Sequence, residues 1–143
     1  MNRLAQRRDD LVRSLLDRPD ARARMGHLMD EARRREPLPG TDRTDANRVP
    51  GCMANLWVVA SFQDGRCRFR CDSDSLVVKS IATLLCDFYS DAAPRDILAL
   101  DPSFLQAAGI TQHLSSNRRN ALSRVWDIIR GFATAHAGAP LLC

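Results

Sequence analysis

Two short alternating segments on either side of an Asp-Gly dipeptide set the strongest limit on how this chain folds. The first segment reads NLWVVASF, the second reads RCRFRC, and Asp64-Gly65 lies between them. This dipeptide favours a two-residue type I′ turn, because both of its positions adopt positive φ angles. The sequence therefore predicts an antiparallel hairpin whose register pairs Phe62 with Cys67, Ala60 with Phe69, and Val58 with Cys71.

That register separates the two faces of the hairpin by polarity. Side chains alternate across a strand, so residues two apart share a face. One predicted face is apolar and carries Leu56, Val58, Ala60, Phe62, Cys67, Phe69 and Cys71. The other carries Trp57, Val59, Ser61 and the arginines at 66, 68 and 70. We expect the apolar face to pack against helices.

Helical periodicity and capping residues predict helices on both sides of the hairpin. The predicted class is α+β, a small antiparallel sheet flanked by helices. The 143 residues are expected to form a single domain, 1–143, with its core at about 20–133 and a flexible tail from 134 to 143. The predicted helices cover residues 3–17, 19–35, a segment capped by Ser73 or Asp74, short segments beginning at Pro94 and Pro102, and a last segment from Ser115 or Ser116 to about Phe132.

Composition limits the environment and the partners of the chain. No apolar run approaches the roughly 18 residues of a membrane span, and the N-terminal segment lacks the apolar stretch of a signal peptide. We therefore expect a cytoplasmic protein with no membrane partner. The net charge of +4 comes from arginines interleaved with acidic residues, which favours a solvated surface over a nucleic-acid-binding patch.

The cysteines divide into expected core residues and one candidate for chemistry. Five is an odd number, and the cytosol keeps thiols reduced, so a disulfide framework is not expected. Cys67 and Cys71 would lie about 13 Å apart on one strand face, too far to share a metal ion. Cys86 falls in an apolar helix stripe, and Cys143 lies on the predicted tail. We expect no metal site.

Cys52 differs because it follows Pro50-Gly51, in a loop that leads into the hairpin. Such a loop can present a thiol to another protein. Spacing alone leaves a functional and an incidental role equally open. Arg48 is the nearest cation in the sequence and could lower the pKa of the thiol, although an arginine near a loop is more often simply solvated.

Four motifs in order carry a resemblance to a known family. They are RVPGCMANLW, DSDSLVVKSIATLL, APRDILALDP and GITQHLSSNRRNALSRVWDIIR, within the span 24–132. The chain resembles the SufE family of sulfur-acceptor proteins, which includes CsdE. The resemblance implies an α+β fold related to the IscU-type scaffold.

The resemblance also implies an activity. SufE-like proteins accept sulfur from a cysteine desulfurase and stimulate it, and the sulfur passes to iron–sulfur cluster assembly. Cys52 matches the acceptor cysteine. The implied partners are a desulfurase of the SufS or CsdA type, which carries pyridoxal phosphate, and a downstream scaffold such as the SufBCD complex. The chain itself is expected to need no cofactor and to have no independent turnover.

Other residues match family positions with less definite roles. Asp74 and Arg118 are implied partner contacts, although a helix cap explains Asp74 equally well. Gly51 and His113 are implied supports of the acceptor loop. Ala54 departs from the serine that is usual two residues after the acceptor cysteine.

Two other classes of protein remain as alternatives. An iron–sulfur scaffold of the related fold would need three cysteine-like ligands that converge on one site. A nucleic-acid-binding module driven by the arginines would bind in a strongly salt-dependent way.

Overall fold

The computed structural model describes residues 3–138, which form helices around one two-stranded sheet. The sheet is the hairpin of β1 and β2, and it confirms the predicted α+β class. The elements are α1 (Arg3–Leu16), α2 (Ala21–Arg34), β1 (Leu56–Gln63), β2 (Arg66–Ser73), α3 (Leu76–Tyr89), α4 (Pro94–Leu98), α5 (Phe104–Ala107) and α6 (Ser116–Ala137), with short 3-10 turns at Asp45–Asn47 and Thr111–His113.

The hairpin has the predicted register. Phe62 pairs with Cys67, Ala60 with Phe69 and Val58 with Cys71, and Asp64 and Gly65 both have positive φ. The predicted apolar face is buried except toward its tip, where Ala60 is half-buried and Phe62 is exposed. The Phe62 ring stacks on the ring of His136 with centroids 4.6 Å apart, so α6 covers the tip only in part.

The helix α3 packs on β2, α2 and α6 and is the central element of the core. It begins one residue later than an Asp74 cap would predict and two later than a Ser73 cap would, because Ser75 supplies the cap. The Ser75 hydroxyl accepts a hydrogen bond from the Val78 N–H at 3.3 Å. Caps of this kind satisfy N–H groups that have no partner within the helix. Of the two predicted caps, Asp74 binds Asn55 instead, and the Ser73 hydroxyl accepts from the Ser75 N–H at 3.2 Å while donating to the Asn55 carbonyl.

The packed unit is longer at both ends than the predicted core of 20–133. The helix α1 contributes Leu4 and Leu15, both fully buried. At the other end α6 continues to Ala137, past the predicted start of the tail, because its last turns pack on the sheet. Phe132 meets Phe69 edge-to-face at 5.8 Å, and Ala133 is fully buried. Cys143 and the rest of the predicted tail from 139 lie outside the described residues.

A buried carboxylate anchors the long connection between α2 and β1. One Asp72 oxygen accepts hydrogen bonds from the Leu38 N–H at 2.9 Å and from Arg43 at 2.8 Å. Its other oxygen lies 3.5 Å from the ammonium of Lys79, which also donates to the carbonyl of Arg35. Burial of Asp72 opposes its ionisation, but these donors and cations together hold its pKa below the usual value.

None of the helices between residues 3 and 138 combines the length and the apolar character that a membrane crossing demands.

Candidate functional site

The loop that carries Cys52, residues 50–55, rises from a fixed base. At that base the Val49 N–H donates to the Leu56 carbonyl at 2.7 Å, and Arg48 forms an isolated β-bridge with Trp57. Val49 and Leu56 are both buried in the core. We call residues 50–55 the acceptor loop. Its two ends are therefore held together by buried residues, while the residues between them project from the sheet.

Cys52 is half-buried and packs against the edge of the hydrophobic core. The next residue, Met53, is 84% exposed, the highest value among the large exposed hydrophobic residues of the described chain. The acceptor loop thus places a half-buried thiol next to a highly exposed apolar side chain. Single exposed apolar side chains are common on protein surfaces, so the distinguishing feature of Met53 is its position beside the thiol.

The helix α6 holds the loop from one side. The Asn120 amide donates a hydrogen bond to the carbonyl of Gly51 at 2.9 Å. The Arg124 guanidinium lies directly against Gly51, so that a Cβ there would be 3.1 Å from Nε and 3.2 Å from Cζ. Gly51 also has φ of +80°, a conformation that side chains disfavour. The backbone conformation and the Arg124 contact each disfavour a side chain at this position, which gives the predicted support role of Gly51 a physical basis.

Two opposing effects act on the Cys52 thiol. Burial raises its pKa, because the thiolate is less well solvated there, and the positive charge of Arg124 lowers it. The net result is a pKa above the usual value. The cation that acts on the thiol is therefore Arg124, and not Arg48, the nearest cation in the sequence. Arg48 is nearer along the chain, but its exposed side chain does not contribute to the shift.

Asp74 secures the other end of the acceptor loop. One of its carboxylate oxygens accepts from the Asn55 N–H at 3.2 Å, and the other accepts from the Asn55 side-chain amide at 2.9 Å. The Asp74 N–H in turn donates to the Asn55 carbonyl, which the Ser73 hydroxyl also contacts at 2.6 Å. Asp74 is thus a support of the loop and not the cap of α3. Its implied role as a partner contact stays a prediction.

Arg118 and His113 lie on a different surface. Both line a groove against α2, together with Met25 and Ile110. Arg118 and Asn120 are two positions apart on α6, so their side chains leave the helix on nearly opposite sides. Within residues 3–138, no hydrogen bond connects the His113 side chain to the acceptor loop, so the predicted loop support by His113 is not seen. A partner-contact role for Arg118 stays a prediction.

The other described cysteines lie in the core, as their strand and helix positions predict. Burial raises the pKa of Cys67 to about 11. Cys71 lies 3.6 Å from the hydroxyl of Thr83, and the neighbouring Cys71 thiol together with burial raises the pKa of Cys86. In the described part of the chain, no three His, Cys, Asp or Glu side chains are grouped so that they could hold a metal ion.

Sequence reasoning missed Arg124, Asn120 and Asn55 as parts of the site. The i, i+4 spacing of Asn120 and Arg124 places them on one face of α6. Nothing in that spacing indicates which loop the face meets. Asn55 belongs to the predicted strand segment NLWVVASF, and the sequence does not indicate that it ends the acceptor loop and binds Asp74.

Comparisons with known proteins agree with this architecture. The family profile of SufE, described as an Fe-S metabolism associated domain, matches residues 9–133. An uncharacterized SufE-like protein of Synechocystis is 28% identical over 116 residues, which are 81% of this chain and 73% of that protein. SufE-like protein 1 of Arabidopsis thaliana, named as chloroplastic and mitochondrial, is 30% identical over 122 residues. This match spans 85% of the present chain but only 33% of the Arabidopsis protein.

A solved structure shares the fold. The solution structure of a hypothetical protein from Thermus thermophilus superposes with a TM-score of 0.70, covering 93% of this chain and 94% of the other at 19% identity. The motifs, the fold and the family profile therefore agree over most of the described residues. The chain belongs to the SufE family, whose domain is associated with iron–sulfur metabolism.

Proposed function

We propose that this protein accepts sulfur on Cys52 from the persulfide of a cysteine desulfurase and stimulates that enzyme by removing its product. The observation that carries the proposal is the placement of Cys52, a half-buried thiol in a projecting loop at the acceptor position of the family motif. The remaining described cysteines are buried within the fold and have no comparable access.

The transfer is a thiol exchange in which electrons and atoms balance. The Cys52 thiolate attacks the outer sulfur of the donor persulfide and forms a new S–S bond. The S–S bond of the donor breaks, and its electron pair leaves with the donor cysteine as a thiolate. The products are a persulfide on Cys52 and a regenerated desulfurase cysteine, so no external oxidant or reductant is consumed. The pyridoxal phosphate that releases sulfur from cysteine belongs to the desulfurase.

The burial of Cys52 fits a thiol that reacts in a complex rather than in free solution. With its pKa raised above the usual value, most of the thiol is protonated at neutral pH. A protonated, half-buried thiol is a poor target for oxidants, because the thiolate is the reactive form. Contact with the desulfurase would then draw the loop outward and complete activation.

Met53 supports the same partner. Its exposed side chain adjoins the thiol on the acceptor loop, so that it would enter the desulfurase active-site opening together with Cys52. Burial of a flexible apolar side chain stabilises an interface without demanding one exact geometry. We infer that the desulfurase is of the SufS or CsdA type, that the sulfur continues to an iron–sulfur scaffold such as SufBCD, and that the exchange takes place in the cytoplasm.

Sulfide release by a desulfurase, measured with and without this protein, tests the proposal. Cys52→Ser is expected to abolish the stimulation, because serine cannot form a persulfide. Cys67→Ala removes a buried thiol far from solvent and is expected to retain most of it. Full stimulation by Cys52→Ser would contradict the proposal.

A further inference from the structure

The close contact between Arg124 and Gly51 has a bearing on the chemistry of the neighbouring residue. A Cβ placed on Gly51 would lie 3.1–3.2 Å from three guanidinium atoms of Arg124, Nε, Cζ and Nη2, so the guanidinium occupies the space beside this glycine. The Asn120 hydrogen bond to the Gly51 carbonyl fixes the same peptide against α6. Cys52 follows directly in the chain, so the residue that precedes the thiol is held between Asn120 and Arg124, and the Arg124 charge acts on the thiol.

Arg124 carries an uncompensated charge among residues 3–138. No carboxylate in that range lies within 4.0 Å of its guanidinium, whereas Arg130, on the same helix, pairs with Asp127 at 3.2 Å. An arginine without a carboxylate partner is available to an anion that forms nearby.

The charged groups on the elements around Cys52 are few. Those with a contact to the acceptor loop or its base are Arg124 from α6, Arg48 at the base itself and Asp74 from the segment between β2 and α3; the other charged residues of α6, Arg118, Arg119, Asp127 and Arg130, make no hydrogen bond or ion pair with the loop within residues 3–138. Both oxygens of Asp74 are engaged by Asn55. Of the three, Arg124 alone shifts the pKa of Cys52, and it does so in favour of the thiolate.

We propose that Arg124 is a positioning residue that stabilises anionic sulfur at Cys52, first as the attacking thiolate and then as the persulfide anion. The second half of this statement rests on the function proposed above; the first half is a property of the isolated protein. The planar, weakly hydrated guanidinium suits a soft, diffuse anion better than a compact ammonium does. The positive charge of Arg124 thus offsets part of the free-energy cost of forming a thiolate on a half-buried thiol.

The rate of Cys52 alkylation by iodoacetamide, followed by peptide mass as a function of pH at low salt, tests the inference. Arg124→Gln removes the charge, Arg124→Lys keeps it, and Arg130→Gln removes a matched charge from the same helix. We expect Arg124→Gln to move the midpoint of the profile to higher pH and to slow alkylation at pH 7 by about threefold to tenfold. Arg130→Gln is expected to stay within about twofold of the unmodified protein, because Asp127 already offsets the charge of Arg130, which lies about 9 Å farther along α6 than Arg124.

The three variants separate charge from shape. A profile for Arg124→Lys close to that of the unmodified protein, with Arg124→Gln shifted, supports the inference. Superimposable profiles for Arg124→Gln and the unmodified protein would overturn it. Equal shifts in Arg124→Gln and Arg124→Lys would also overturn it, since packing rather than charge would then be responsible. Circular dichroism of each variant checks that the fold is intact.

This outcome is independent of whether Cys52 carries sulfur. If the unmodified protein acquires a persulfide on Cys52 while Arg124→Gln leaves the pH profile unchanged, the sulfur-acceptor function stands and the role of Arg124 is wrong. If Arg124→Gln shifts the profile but no persulfide forms on Cys52 with an active desulfurase, the function is wrong and the thiolate stabilisation stands.

Discussion

The carboxylate of Asp74 accepts hydrogen bonds from both the backbone N–H and the side-chain amide of Asn55, which lies three residues after Cys52. Ser73 adds a hydrogen bond to the Asn55 carbonyl. The motif that includes Asp74 therefore acts on the acceptor loop across the sheet, and the helix that follows is capped separately by Ser75. A partner that bound Asp74 would also contact the support of this loop.

Asp74→Ala is expected to loosen the end of the acceptor loop. Loss of the two hydrogen bonds should lower the free energy of unfolding by about 0.5–1 kcal/mol, near the low end for such bonds because Asp74 is exposed. Hydrogen exchange of the Asn55 amide should accelerate more than exchange elsewhere in β1. Asp30→Asn, which affects only an exposed ion pair with Arg33 on α2, is the matched control. Unchanged Asn55 exchange in Asp74→Ala would show that the contact does not hold the loop.

Gly51→Ala is expected to disturb the loop in two ways, and Gly65→Ala separates them. Both glycines have positive φ, of +80° and +77°, but an added Cβ meets Arg124 at position 51 and nothing within 4 Å at position 65. Backbone strain alone should cost each variant about 1–2 kcal/mol in the free energy of unfolding. Urea denaturation measures that shared cost.

Gly51→Ala also displaces the Arg124 guanidinium, an effect that Gly65→Ala does not have. We expect this variant alone to alter the alkylation rate of Cys52, with Gly65→Ala matching the unmodified protein. Identical Cys52 reactivity in the two variants would show that the contact between Gly51 and Arg124 has no chemical consequence.

Asp72 is expected to make stability depend on pH. Its folded pKa lies below the unfolded value, so its ionised form stabilises the fold fully above about pH 4, and this contribution is lost as the pH falls through the folded pKa. Asp72→Asn should lower the free energy of unfolding near pH 7 by about 2–4 kcal/mol, because it leaves Lys79 buried without its opposing charge. Urea denaturation from pH 7 to pH 3 should show the two proteins converging at acid pH. A difference that stays constant across this range would refute the assignment.

Met53→Ser is expected to weaken the coupling to a desulfurase without changing the thiol. Removal of an interface anchor costs about 1 kcal/mol or more, so the concentration of this protein that gives half-maximal stimulation should rise about fivefold. Leu98→Ser, which removes another exposed apolar side chain outside the loop, is the control and should leave that concentration unchanged. Cys52 alkylation should be the same in both variants. An unaltered half-maximal concentration in Met53→Ser would remove Met53 from the interface.

The hairpin could be predicted from the sequence because its signals are local. The Asp-Gly turn fixes the register, and strict alternation then places Cys67 and Cys71 on the buried face. The end of α6 was harder, since the small residues after Phe132 resemble a fraying tail. Its helical structure depends on Phe69 and Phe62, which the sequence does not place beside it.

Only part of the candidate site could be predicted from the sequence in the same way. Cys52 is marked by its own motif, and Gly51 by the turn that precedes it. The cation near the thiol is Arg124, which is distant in the chain and reaches the loop only because α6 packs beside it. Sequence proximity offers only Arg48, an arginine that is more simply read as solvated and that does not shift the pKa of the thiol. For Asp74, the local pattern fits a helix cap, and only the tertiary structure reveals Asn55 as its partner.

Intact-mass analysis with peptide mapping tests the central claim most directly. The protein is incubated with an active cysteine desulfurase and cysteine, and then separated under non-reducing conditions. We predict a mass increase of about 32 Da, one sulfur atom, on the peptide that contains Cys52 and not on those containing Cys67 or Cys86. Reductant should remove the added mass, and Cys52→Ser should never acquire it. An unmodified Cys52 peptide in the presence of a turning-over desulfurase, or an adduct confined to another cysteine, would contradict the account.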